Sequence, residues 1–254
     1  STVLKGTQRE GLSNAEKFNQ YIELSSFPYV LRFELNKREA REYMQGLYDT
    51  VLLNDVMKRK KIADVGMLKN VAKLHNIGNK ASSTNIANTM KSAGKGVDQK
   101  TVDRYLDGLK EALLLYEATR FNIKGKQFLT TQSKYYCVDM GLRNMLVRGK
   151  DSDIGHILEN VVYLELIRRG YEVFVGAIDD GEVDFVAKTD DGQYLYYQVA
   201  ASTLDPNTLK RELAPFKRIA DNYPKTLLTL DEVFSTADYE GIQKRNVLDW
   251  LLDE

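Results

Sequence analysis

Three polar residues in the C-terminal half of the chain stand where apolar ones are expected. Glu159 lies in a run that includes Ile154, Ile157, Leu158, Val161 and Val162, and shares a helical side with Val162, Tyr163 and Leu166 at i+3, i+4 and i+7. A carboxylate on such a face is costly unless it is paired, hydrogen-bonded or metal-bound. Asp184 belongs to Gly181-Glu182-Val183-Asp184-Phe185-Val186, where a period of two puts Asp184 with Val186 and Val183 with Phe185. Gln198 shares one face of the next run with Tyr196, and Leu195, Tyr197 and Val199 take the other. A helix Glu, a strand Asp and a polar residue on the adjacent strand therefore point toward one place.

A second group of residues carries charge suited to phosphate. Lys95, Gln99, Lys100 and Arg104 fall in a turn and at the start of a long helix, and Lys124 and Lys126 flank Gly125 in a hairpin tip. From Lys91 to Lys150 basic residues outnumber acidic ones two to one, although the whole chain has a formal net charge of +0. Such a local basic segment is what phosphate binding needs. Asp103 and Asp107 dilute the positive face of the helix. A solvated charged face, or a surface for another protein, is the competing reading.

The elements that must position these groups follow from hydrophobic spacing. Residues 15–25 read as a helix closed by Ser25-Ser26-Phe27-Pro28. Asn36 caps a helix running to about Lys61, with Glu39 three residues later as in a capping box. Helices over 66–76 and 83–92 come next. Asp98 caps one from Gln99 to about Leu115, whose Val102, Tyr105, Leu106, Leu109 and Leu113 form one face. The period then changes to two over 117–123 and 127–138, a hairpin with a basic tip. Three helices and a hairpin describe a winged helix-turn-helix, whose recognition helix would start at Asp98. After the polar stretch 149–155 the order is helix (154–169), strands (171–177, 182–188, 194–200), helix (206–222), strand (225–230) and a closing element (246–252). The expected division is a helical lid-like segment at 1–62, the winged helix at 63–149 and an α/β domain at 150–254.

Composition narrows the function classes. Hydrophobic residues make up 43% and charged residues 28% of the 254 positions, as in a globular protein. The lone Cys137 and the separated His75 and His156 offer no disulfide and no zinc spacing. None of Gly78-Asn79-Lys80, Gly94-Lys95-Gly96 and Gly149-Lys150-Asp151 has a hydroxyl residue after a Gly-Lys pair, as a P-loop needs. No run approaches the ~20 apolar residues that cross a bilayer, and no signal-peptide pattern opens the chain. A cytoplasmic location is expected.

The Glu159, Asp184 and Gln198 arrangement resembles the PD-(D/E)xK nuclease-like fold. In active members the acids hold Mg²⁺, which polarises the phosphate and helps generate hydroxide, and a lysine two residues on stabilises charge. The resemblance implies Glu159 and Asp184 as metal ligands and Glu159, Asp184 and Gln198 as the catalytic set. Here the third acid is the neutral Gln198 and the lysine position holds Ala200, leaving Lys210 and Lys188 as candidates to reach in. The competing reading makes Glu159 and Asp184 hydrogen-bonded relics that hold helix to sheet. More particularly, Gly155-His156-Ile157-Leu158-Glu159-Asn160, Arg168-Arg169-Gly170-Tyr171, Glu182-Val183-Asp184-Phe185 and Tyr197-Gln198-Val199-Ala200 resemble the C-terminal domain of unknown function of prokaryotic AAA+ ATPases. So do Lys100-Thr101-Val102-Asp103-Arg104-Tyr105 and Tyr136-Cys137-Val138-Asp139-Met140-Gly141. That resemblance implies a fragment of a larger ATPase whose ATP site lies in an upstream domain. Within this chain it implies a helical lid-like segment, a winged helix and a nuclease-like domain, and with the local basic charge a DNA-binding accessory region with no cofactor, or at most Mg²⁺, is expected. A working Mg²⁺-dependent endonuclease and a protein-interaction module are the alternatives.

Overall fold

The computed structural model describes residues 11–33, 36–60, 62, 64–77, 83–146 and 154–253. Two compact units emerge, one from Ser1–Phe18, Ala118–Ser133 and Asp153–Glu254, the other from Asn19–Glu117 and Lys134–Ser152. This differs from the three-part division expected at 62 and 149. The lid-like segment and the three helices after it share one apolar core, running from Val30 through Leu52, Val56, Leu68 and Leu106 to Met145. The distal part of the hairpin belongs with the C-terminal sheet. The polar boundary stretch lies, from 149 to 153, outside the described residues.

The helical unit begins within α1 (Asn14–Leu24) and continues through a short 3-10 turn (Pro28–Phe33) into α2 (Lys37–Val51). Asn36 caps α2 by accepting from the backbone N–H of Arg38 and Glu39 at 3.2 and 3.3 Å. Glu39 reaches back to the Asn36 side-chain amide at 2.7 Å. The long helix expected to about Lys61 is interrupted: Leu52–Met57 is π-helical, and a last α-turn, Lys58–Lys60, follows. Then come α3 (Val65–Ile77), α4 (Ser83–Ser92) and α5 (Gln99–Glu111). Gly94, at φ +73°, ends α4 by letting the Lys95 N–H reach the Met90 carbonyl at 2.9 Å. α5 ends four residues earlier than its apolar spacing suggests, because Leu113 turns to φ +53° and Leu114 N–H closes on Leu109 O. A β-carbon added to Gly108 of α5 would lie 2.8 Å from Cγ1 of buried Val56, so this glycine lets the π-helical segment come close. α6 (Met140–Leu146) follows the hairpin. Asp139 caps it, accepting from Leu142 N–H at 2.8 Å and from Ser26 N–H and Oγ at 2.6 Å each.

The other unit is built on a sheet of order β2-β1-β3-β4-β5-β6-β8-β7. The strands are β1 (Leu115–Asn122), β2 (Gln127–Cys137), β3 (Glu172–Ile178), β4 (Gly181–Lys188), β5 (Tyr194–Ala200), β6 (Lys225–Thr229), β7 (Ala237–Tyr239) and β8 (Ile242–Asn246). β3/β4, β4/β5 and β7/β8 are antiparallel, and β1/β3, β5/β6 and β6/β8 parallel. The hairpin expected as a wing thus adds to this sheet through β1. α7 (Ile154–Arg168) packs on β3, β4 and β5 and is buried on most sides, so its composition is apolar nearly all round. α8 (Pro206–Lys217) packs on β4, β5 and β6. Asp205 caps it by accepting from Thr208 N–H at 2.9 Å, and Pro206 opens it. α9 (Val247–Leu252) closes the chain, capped by Asn246. Among the described residues no helix is long and apolar enough to cross a membrane.

Candidate functional site

Strands β4 and β5 pair regularly from Lys188↔Tyr194 to Phe185↔Tyr197. Beyond that register, side chains carry the connection. Asp184 Oδ2 accepts from the backbone N–H of Val199 at 2.9 Å, and Gln198 Oε1 accepts from the backbone N–H of Asp184 at 3.3 Å. The two residues the sequence singled out therefore meet as a clasp across strands that have stopped bonding through their backbones. Asp184 also sits at a bulge. Phe174 faces Val186 and Gly176 faces Val183, so two residues of β4 stand opposite the single Val175. The period of two is broken there. Val183 and Val186 share the core under α8, and Phe185 meets the Tyr163 ring of α7.

The clasp continues into α8 through a residue that sequence reading passed over. Gln198 Nε2 donates to Glu212 Oε2 at 2.9 Å, and Glu212 is only 9% exposed. The other Glu212 oxygen accepts from Arg211 Nε at 3.0 Å and Nη2 at 2.8 Å. The amide oxygen of Gln198 is held toward Asp184 because its amide nitrogen is held toward Glu212. Glu159 is buried on α7, 8% exposed. Ala200 is buried too, Lys188 is paired with Glu172 at 2.8 Å, and Lys210 is exposed on α8. Among the described residues no three or more His, Cys, Asp or Glu side chains are grouped so as to hold a metal ion.

The basic residues divide into two sets. Lys124 and Lys126 of the hairpin tip are committed within the sheet unit. Lys124 Nζ pairs with Asp179 at 2.7 Å, and Lys126 Nζ pairs with Asp221 at 2.8 Å. Arg120 of β1 pairs with Glu182 of β4. Lys95, Gln99, Lys100 and Arg104, together with Lys91, are all exposed around the turn into α5. Among the described residues none of these cations is in an ion pair with an acid side chain. Asp98 is occupied as the helix cap, accepting from Thr101 N–H at 2.7 Å. That bond, with the fields of Lys100 and Arg104 behind it, holds its carboxyl below the usual range. Asp107 is bound by Lys110 at 3.0 Å, and Lys110 also holds Glu117. From Lys91 to Arg104 four cations, Lys91, Lys95, Lys100 and Arg104, stand against Asp98 and Asp103.

A further polar centre was hidden from sequence. Lys244 of β8 and Asp231, each 2% exposed at the side chain, pair at 2.8 Å. Asp231 also accepts from Thr203 N–H at 2.9 Å and from Thr203 Oγ1 at 3.0 Å. Despite burial, these bonds hold its carboxyl far below the ordinary range. Cys137 is inert by contrast, its thiol pushed up to about 12 by burial.

Comparison with known proteins extends this picture. An uncharacterized protein of Haemophilus influenzae is 35% identical over 237 residues, 92% of this chain and 58% of the relative. An uncharacterized protein of Methanocaldococcus jannaschii is 28% identical over 244 residues, 91% of this chain and 52% of the relative. The chain thus spans a little over half the length of these relatives. No solved structure matches it. The family described as a domain of unknown function, DUF8612, matches residues 15–153, more than half of the sequence, and the chain belongs to that family.

Proposed function

We propose that this chain is a nucleic-acid-binding accessory region of an AAA+ ATPase, with a nuclease-like domain that no longer cleaves. The observation that carries the reading is the exposed cluster Lys91, Lys95, Lys100 and Arg104 at the start of α5, free of acid partners among the described residues while other lysines are tied up. Lysine and arginine heads that release counterions from phosphate supply most of the sequence-independent affinity for DNA. The first turn of the second helix of a helix-turn-helix is also where base edges are met. Gln99, beside Lys100, has the amide that can bridge an adenine.

The inactive reading of the nuclease-like domain rests on the clasp. Asp184 Oδ2 and Gln198 Oε1 each accept from a backbone N–H of the opposing strand, and Ala200 cannot stabilise charge. The test is binding of the chain to short labelled duplex DNA across a salt series, with and without Mg²⁺. Salt-steep binding with intact DNA is expected. Absence of binding at low salt overturns the nucleic-acid reading. Mg²⁺-dependent cleavage that disappears in Asp184→Ala overturns the inactive one.

A further inference from the structure

The hairpin tip ends in a built site. Lys126 Nζ stands 4.7 Å from the ring centroid of Tyr194, 5.5 Å from that of Tyr223 and 5.9 Å from that of Tyr196. Its charge is met by Asp221 at 2.8 Å, and its Nζ reaches the Tyr196 hydroxyl at 3.1 Å. The same hydroxyl donates to Asp221 Oδ2 at 2.7 Å, fixing the carboxylate. Burial pushes the Asp221 carboxyl up, but the bonds from Lys126 and Tyr196 outweigh it and hold it ionised. The rings of Tyr194 and Tyr223, the Tyr196 hydroxyl and one fixed carboxylate around an ammonium form the chemistry of a cation cage. Tyr196 is fully buried, and Tyr194 and Tyr223 are half-buried.

The occupant is held less firmly than the walls. The Lys126 side chain is 40% exposed. Its backbone takes φ +49°, a left-handed conformation that a lysine adopts at a cost. A cleft of about 480 Å³ lined by Phe216, Ile219, Asp221, Tyr223, Lys225 and Ile242 opens beside the carboxylate. It gives a small molecule an approach to Asp221 and Tyr223.

We propose that Tyr194, Tyr196, Tyr223 and Asp221 form a binding site for an alkylammonium group, and that Lys126 is its tethered, exchangeable occupant. The ligand class is a primary or methylated amine on an aliphatic stem, such as a lysine side chain of another segment or a small polyamine. With Lys126 in place the hairpin tip is tied to Asp221, beside the β1/β3 pairing that builds the hairpin into the sheet. A competing amine, or removal of the Lys126 charge by acetylation, would release the Lys126 contact.

The test uses the full chain, thermal melting, and n-butylammonium chloride as probe against sodium chloride of equal strength. Lys126→Ala should lower Tm by about 2–8 °C for a contact of this kind. Butylammonium should restore part of that loss where sodium does not, and should leave the unsubstituted protein unmoved beyond the sodium control. The double variant Lys126→Ala/Tyr223→Ala should show no restoration. Equal effects of the two salts on Lys126→Ala, or restoration that persists without Tyr223, overturn the proposal. If Lys126→Ala does not fold, Lys126→Arg and Lys126→Met decide: the arginine variant, keeping a cation for the cage, should melt above the methionine variant, and the reverse order overturns the proposal.

Discussion

If the start of α5 is the phosphate-binding face, its charges set the salt dependence of DNA binding. Lys91, Lys95, Lys100 and Arg104 are exposed and without acid partners among the described residues, so each is available to displace one counterion. Four contacts give a slope of log affinity against log salt of about −3.6 on duplex DNA. Affinity should then fall about 150-fold between 50 and 200 mM salt. Lys100→Gln with Arg104→Gln should halve that slope, leaving a fall of about 12-fold across the same range. Lys124→Gln should leave the slope unchanged, since that ammonium is already neutralised by Asp179. Fluorescence anisotropy on a labelled duplex at five or six salt concentrations measures both. A slope untouched by the α5 pair, or one reduced by the hairpin substitution, refutes the assignment of the face.

Other perturbations probe the framework. Lys244→Met strands the buried Asp231 carboxylate and should cost about 3–5 kcal/mol in denaturant unfolding. Because the folded Asp231 pKa is depressed, its stabilisation is complete above the unfolded value of about 3.9 and is lost as pH falls below it. The melting temperature of the parent should drop through that window, and Lys244→Met should lack that part of the drop. Gln198→Glu replaces a donor with a second carboxylate 2.9 Å from Glu212 and should cost about 2 kcal/mol at pH 7. One carboxyl of that pair then has a raised pKa, so the loss should shrink as pH falls toward 5; a loss independent of pH would count against the clasp. Gly141→Ala should be the worse of two glycine substitutions, since its new β-carbon would lie 2.3 Å from the Leu24 carbonyl oxygen. Gly108→Ala meets only side chains, Val56 at 2.8 Å and Lys60 at 3.2 Å, and should cost about 1–3 kcal/mol; equal melting temperatures for the two variants would contradict this ranking.

The sequence was legible where a local signal decides the structure. Asn36 and Asp98 cap their helices because each is a short acceptor just before an apolar repeat. Strands β3, β4 and β5 fall within a residue of expectation. The misses have physical causes. β8 carries its alternation as Ile242, Lys244 and Asn246 buried against Gln243 exposed, so the inward face is partly polar and hydrophobicity cannot show it. Leu113, Leu114 and Leu115 form an unbroken apolar run that hides the left-handed turn ending α5. α8 stops at Lys217 although Ile219 and Ala220 extend its spacing. Glu212 reads as a surface charge on α8, and only Gln198, from another element, gives it a reason to be buried.

Charge along the chain is a count, whereas charge at a surface is what remains after pairing. The hairpin tip, Lys124-Gly125-Lys126, and the turn into α5, Gly94-Lys95-Gly96, look alike in sequence, each alternating glycine and lysine. They differ because Asp179 and Asp221, 55 and 95 residues further on, neutralise the first, and nothing comparable reaches the second among the described residues. Of the two acids that dilute the positive face of α5, Asp107 is paired with Lys110. The hairpin that a winged helix would lay along DNA is built here into a sheet. On this reading nucleic acid is met by the turn and first residues of α5, and the hairpin belongs to the C-terminal sheet through the β1/β3 pairing, with Lys124 and Lys126 bound to Asp179 and Asp221.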